Sequence, residues 1–94
     1  MTNNAELQQL EHESNEAHIE RLQGIVRSRR EEAQRELEGK RHLERTINAM
    51  AQTRAPASST NELHRLLAQT CTRLGVARGQ VDIAEAHLVI ALNR

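Results

Sequence analysis

Five histidines are the residues of this 94-residue chain that could most readily bind a metal ion. They are His12, His18, His42, His64 and His87. A zinc site needs several ligands that converge on one point, and two ligands on one helix must stand three or four residues apart. No two of these histidines have that spacing, and none has a cysteine at ligand spacing. We therefore expect no metal site and no cofactor.

The residue types also argue against catalysis. Covalent catalysis needs a nucleophile beside a general base that a third group orients, and no such arrangement can be recognised in the sequence. The chain has no glycine-rich phosphate loop, and it contains no Phe, Tyr or Trp with which to line a substrate pocket. We expect a protein that is not an enzyme and has no small-molecule substrate.

Arginines cluster in the first half of the chain and could contact the phosphates of a nucleic acid. Arg27, Arg29 and Arg30 lead this cluster, but Glu31 and Glu32 follow directly. Interleaved carboxylates weaken a basic surface, and without aromatic side chains the protein cannot stack bases. The pattern therefore favours a solvated helix face, and a nucleic-acid-binding dimer is the weaker alternative.

The second half of the chain carries a continuous apolar pattern. Nine positions follow one another at alternating steps of four and three residues, and eight of them are apolar. These positions, which we call the heptad seam, are Leu63, Leu67, Thr70, Leu74, Ala77, Val81, Ala84, Leu88 and Ala91. Such spacing keeps one side of a helix against a partner helix. The seam predicts a long helix that packs on another helix.

A second set of apolar residues in the same stretch lies outside the heptad seam. It comprises Leu66, Val76, Ile83, Val89, Ile90 and Leu92. Because a helix with apolar residues on two sides needs two neighbours, we predict that these six residues bind a partner. The partner is either a helix of another protein or a second copy of this chain, so both a heterodimer and a homodimer stay open. Gly75 and Gly79 stand one turn apart, which is typical of a bend or of a close helix crossing.

The first half of the chain predicts a helix that faces the heptad seam. Positions 19, 22, 26, 29, 33, 36, 40, 43, 47 and 50 show the same steps, with apolar residues at both ends and polar ones in the middle. Pro56 disfavours helix at the residue before it, and Ser59 with Glu62 has the spacing of a capping box. Because the connection is short, we expect the two helices to fold back on each other.

The predicted fold class is all-α, with two long antiparallel helices in a coiled-coil-like helical hairpin and an N-terminal helical extension. The predicted segments are an acidic extension at 1–18 and a hairpin at 19–94, made of a helix at 19–53, a loop at 54–59 and a helix at 60–93. A core without aromatic side chains buries limited apolar area per layer. Because small folds already bury a limited fraction of their surface, we expect oligomeric assembly.

Three features bear on where the protein works. Cys71 has no second cysteine with which to form a disulfide, which favours a reducing compartment, and its apolar neighbours predict a buried structural thiol. The polar, acidic N-terminus does not have the pattern of a signal or transit peptide. The longest apolar run is far shorter than the roughly 20 residues of a membrane span. We therefore predict a cytoplasmic protein without a membrane span.

The helix pattern at 19–50, the break at Pro56 and the helix pattern at 63–92 together resemble the small helical-hairpin co-chaperones of bacterial type III secretion systems. This resemblance implies a cytoplasmic bacterial chaperone whose hairpin covers an aggregation-prone helical subunit, and it assigns no individual residue. We accordingly predict a non-enzymatic protein–protein interaction module, in the form of a small chaperone or adaptor. A structural or regulatory homodimer without a client is the alternative.

Overall fold

The computed structural model describes the backbone of residues 4–94 and the side chains of residues 14–94. It contains two α-helices, α1 at Asn4–Gln52 and α2 at Ala57–Leu92. Arg30 of α1 pairs with Glu85 of α2, and further along α1 Glu36 pairs with Arg73. Because the α2 numbers fall as the α1 numbers rise, the helices are antiparallel. The predicted all-α helical hairpin is confirmed.

The helix boundaries differ from the predicted ones. The backbone at 4–18 is helical and continues directly into the helix predicted at 19–53, so α1 is one element, and it ends at Gln52. A chain rich in Glu, Gln and Leu with no Pro before position 56 gives this helix no reason to break. Residues 1–3 lie outside the described part of the chain.

The end of α1 is closed by a Schellman motif, in which a residue in the left-handed conformation lets two backbone amides satisfy the last carbonyl groups of a helix. The amide of Ala55 donates to the carbonyl of Met50 over 3.1 Å, and the amide of Arg54 donates to that of Ala51 over 3.4 Å. Arg54 has a φ of 56°, which is the region that glycine normally occupies at this position. The turn therefore holds an arginine where the backbone favours glycine.

The capping box predicted at Ser59 and Glu62 does not form at the start of α2. The helix begins at Ala57 and not at position 60, and the cap residue is Pro56, which makes no side-chain cap hydrogen bond. The amides of Ser59 and Thr60 both donate to the Pro56 carbonyl, over 3.1 and 3.3 Å. Pro56 itself stays outside the helix, with a ψ of 143°, and its carbonyl accepts the first hydrogen bonds, so the first turn closes before Ser59 could act as the cap. Glu62 instead pairs with Arg65 over 2.6 Å.

The heptad seam lies between the two helices as predicted. Each of its nine positions in α2 is buried or half-buried, and so are nine of the ten matching positions in α1. The exception is Arg29, which is exposed and pairs with Glu32 on its own helix over 3.4 Å. A long charged side chain gains more from water than from a position between helices, so the middle of the α1 pattern opens toward solvent.

The core is thin. Its buried apolar side chains are Leu22, Val26, Leu74, Ala77, Ala84 and Ala91. The buried polar residue Thr70 is satisfied, because its hydroxyl donates to the Leu66 carbonyl over 2.9 Å and accepts from Arg73 over 3.0 Å. Arg73 also donates to Glu36 over 3.2 Å, which ties the two helices together at this level. Three of the six apolar core residues are alanines, so burial inside the hairpin contributes little per layer.

Candidate interaction surface

The six residues predicted to bind a partner all lie on the outside of the hairpin. Their exposed fractions range from 37% for Leu66 to 60% for Ile83. Large aliphatic side chains usually leave water when a chain folds. Their shared exposure in α2 therefore marks a surface that folding of the single hairpin leaves uncovered.

The six residues do not form a single face. Val76, Ile83 and Ile90 are seven residues apart, so their directions around the helix differ by only about 20° from one to the next. We call these three residues the apolar stripe. On the same geometry Val89 lies about 120° and Leu92 about 180° from Ile83. The six predicted residues therefore do not lie on one surface: three form the stripe, whereas Val89 and Leu92 lie on other sides of the helix. Leu66 lies about 80° from the direction of Val76.

One further exposed apolar residue, Ile25, was missed by the sequence analysis. It is 40% exposed and lines a shallow groove of about 210 Å³ together with Ile83 and His87. A signal for it was present in the sequence, because Ile25 directly precedes the seam residue Val26 and an Ile–Val pair cannot place both side chains between the helices. The groove thus joins the apolar stripe to α1.

The two flanks of the stripe on α2 differ in residue size. On one flank lie Thr72, Gly79 and Ala86, which carry small side chains or none. The other flank carries longer polar side chains, those of Arg73, Gln80 and His87. An approaching helix can come closest where side chains are small, so the stripe is most accessible from its small-residue flank.

Gly75 and Gly79 are not packed closely against the rest of the hairpin. A Cβ atom built on either residue would have no neighbour within 4 Å outside its own stretch of helix. A glycine in a helix costs about 1 kcal/mol relative to alanine, and neither residue has a positive φ. Of the two predicted roles, the close crossing would need a helix from outside the hairpin.

The opposite side of the hairpin is mixed, because charged residues there border apolar ones. Arg30 donates twice to one oxygen of Glu85, over 2.6 and 3.1 Å, across the two helices. Arg78 and Asp82 line the neighbouring groove. The hairpin therefore has one cross-helix groove lined by charged and apolar residues, among them Leu37 and Val81, and another bordered by the apolar stripe.

The candidate nucleic-acid contacts are partly neutralised. Among Arg27, Arg29 and Arg30, two pair with carboxylates, Arg29 with Glu32 and Arg30 with Glu85. A basic surface that releases counterions from phosphates needs free positive charges at regular intervals. The geometry gives these arginines carboxylate partners that a phosphate would have to displace.

The predicted burial of Cys71 is wrong. The thiol is free and exposed. Cys71 directly follows the seam residue Thr70, and one residue is a rotation of about 100° around a helix. The buried position therefore falls to Thr70, and the thiol lies outside the seam.

The described residues contain neither a metal site nor a membrane-spanning helix. Within residues 14–94, no three His, Cys, Asp or Glu side chains lie close enough together to hold a metal ion. The side chain of His12 is outside the described residues; His18 and His87 border one shallow groove with Ile90. Neither helix, over its described residues, has a stretch both long and apolar enough to cross a membrane.

Comparison of the chain with protein-family models, with curated proteins and with solved structures found no match. The arguments for function therefore depend on the surface itself.

Proposed function

We propose that this protein is a non-enzymatic interaction module that binds an α-helix on the apolar stripe of α2. The observation that carries the proposal is the exposure of Val76, Ile83 and Ile90, each more than half exposed, at the seven-residue spacing of a helix–helix contact. A helix laid along α2 would meet all three side chains. Helix-in-groove recognition uses anchors at this kind of spacing.

The size of the stripe is sufficient for binding. Complete burial of a Val or Ile side chain contributes about 1.5–3 kcal/mol. Because more than half of each stripe residue is still exposed, covering it would contribute about 1 kcal/mol or more per side chain. Three such contributions from one partner, with matching ones from the other, support a specific complex.

The concrete form that we propose is a small chaperone or adaptor acting in the cytoplasm of a bacterium. In this form the stripe covers an apolar helix of a client until the client reaches its own assembly. The neutralised arginines Arg29 and Arg30 make this form preferable to a nucleic-acid-binding dimer. A homodimer without a client uses the same surface and is distinguished by experiment.

The test compares two aspartate substitutions at sites of similar exposure. Ile83→Asp places a charge in the middle of the stripe, and Leu92→Asp places the same charge on the other side of the helix, where Leu92 is 55% exposed. The probe is a fluorescein-labelled designed helix of Leu and Glu residues, because Arg94 borders the groove at the stripe residue Ile90. Binding to the full chain is followed by fluorescence anisotropy at low protein concentration.

We expect saturable binding that Ile83→Asp weakens at least tenfold and that Leu92→Asp leaves within a factor of about two, since an unpaired charge cannot be buried without a large penalty. Circular dichroism should show equal helix content in the three proteins. Equal affinity of the Ile83→Asp variant and the unchanged chain would contradict a helix-binding stripe.

A further inference from the structure

We infer that the helix bound by the stripe is α2 of a second copy of this chain, in antiparallel orientation. The inference rests on the proposed function, because it names the occupant of the same surface. It goes beyond that function by specifying which residues of the two copies meet. Three observations carry it: the surface area of the chain, the alternation of large and small residues, and the glycine at position 79, which the hairpin alone does not explain.

The single hairpin exposes more surface than a compact protein of its mass. Its accessible area is 7255 Å² for 10.7 kDa. The usual area for a folded monomer of this mass is about 5,500 Å². The excess of roughly 1,700 Å² is larger than the area of about 800 Å² that each partner buries in a standard interface. The chain as a whole therefore leaves uncovered more area than a stable dimer would bury, part of it on the stretch by which α1 exceeds α2 in length.

The stripe and its small-residue flank form a second heptad pattern in α2. It consists of Thr72, Val76, Gly79, Ile83, Ala86 and Ile90, at alternating steps of four and three residues. This pattern lies on the side of α2 away from the heptad seam, so α2 can contact α1 and another helix at the same time. Large residues alternate with small ones along it, which is the pattern of a helix that interdigitates with a close neighbour.

The alternation is self-complementary when two copies run antiparallel. Ile83 then lies opposite Gly79 of the partner subunit, and Val76 lies opposite the partner subunit's Ala86. At the end of the contact, Ile90 lies opposite Thr72 of the partner subunit. In each layer a large side chain meets a small one, so the backbones can approach closely without overlap. A two-fold axis passes level with Val81 and repeats each contact, as a dimer of identical subunits requires.

The same arrangement accounts for Gly79. The hairpin alone leaves open space around this residue, so it gives no reason for a glycine there. A close neighbour gives one, because a side chain at position 79 would occupy the space of the partner's Ile83.

The test uses two glycine-to-leucine substitutions. Gly79→Leu adds a side chain in the middle of the proposed contact, and Gly24→Leu adds the same side chain to an exposed position of α1. A Cβ atom meets nothing within 4 Å at either site, so both hairpins should fold, with equal or greater helicity. Mass is measured over a concentration series by light scattering with refractive-index detection, since the chain has no Trp or Tyr to absorb at 280 nm.

We expect the unchanged chain and Gly24→Leu to be dimers and Gly79→Leu to dissociate at least tenfold more readily. Orientation is read from a spin label on the native thiol of Cys71. The antiparallel contact separates the two labels by about 20 residues of helix rise, which is about 30 Å, whereas a parallel dimer brings them to the same level. A dimer that Gly79→Leu leaves unchanged, or labels at the same level, would overturn the inference.

The outcomes also separate this inference from the proposed function. A chain that is monomeric over the whole concentration range but binds the Leu/Glu helix through Ile83 overturns the second copy as occupant and leaves the helix-binding module standing. A monomeric chain that binds no helix overturns both. A dimer that is weakened by both Gly79→Leu and Ile83→Asp supports both.

Discussion

Replacing Arg54 by glycine is expected to stabilise the hairpin. Arg54 has a φ of 56°, and the left-handed conformation costs a residue with a Cβ atom roughly 1–2 kcal/mol. Glycine avoids this strain but loses more chain entropy on folding, which offsets about 0.5–1 kcal/mol. Arg54 is exposed and forms no ion pair within the described part of the chain, so little is lost with its side chain. The net gain should be about 0.5–1 kcal/mol.

The assay is thermal and urea unfolding, followed by circular dichroism at equal chain concentrations. For a domain of this size, the expected gain corresponds to a rise in Tm of roughly 2 to 8 °C. Arg54→Ala is the matched control, because it removes the same charge and keeps the left-handed strain. If the glycine and alanine variants unfold at the same temperature, the left-handed conformation at position 54 does not lower the stability of the hairpin, and the reasoning is refuted.

Two further predictions concern the contacts between α1 and α2. Leu74→Ala should lower the free energy of unfolding by about 2–4 kcal/mol, because Leu74 is only 4% exposed and its removal leaves a cavity in a thin core. Urea unfolding measures this loss. A loss below about 1 kcal/mol would mean that the two helices are not closely packed at Leu74. Arg30→Ala and Glu85→Ala, alone and combined, should give a coupling energy of only about 0.2–1 kcal/mol that falls with salt, because the Arg30 side chain is 63% exposed and that of Glu85 is 41% exposed. A larger, salt-independent coupling would contradict a surface ion pair.

The helical hairpin could be predicted from the sequence because its apolar period is unbroken over the whole of the heptad seam. A side chain that falls between two helices at every third or fourth residue has no other place to go. The rule does not hold at Arg29, because this α1 position opposite the heptad seam carries a side chain that gains more from water and from Glu32. Periodicity predicts the direction in which a side chain leaves the helix, but the chemistry of the side chain decides whether it is buried between the helices.

Local details were harder to predict because competing arrangements differ by little free energy. Ser59 with Glu62 matches a capping box, but Pro56 supplies the first acceptor carbonyl and starts α2 three residues earlier. Cap preferences are worth about 1 kcal/mol, so a fixed proline is enough to reverse them.

The candidate surface was predicted residue by residue, but its geometry was not. All six predicted residues are exposed, whereas apolar character alone did not separate Ile83 from Leu92, on the other side of the helix. Ile25 was missed because it belongs to α1, and only the folded hairpin brings it to the groove of Ile83.

We expect the two helices to open locally most often at the thin middle of the heptad seam. Ala77 and Ala84 of α2 lie in that middle, where α1 supplies Ala33 and the charged Glu36, whereas larger aliphatic residues close the layers on either side. Backbone amides near the middle should exchange with deuterium faster than those toward the loop, because opening there uncovers less apolar surface. Ile83 lies at this level, so a helix bound there would stabilise the weakest layers against local opening. Amide exchange there would report whether the stripe is occupied, with no label and no added aromatic residue.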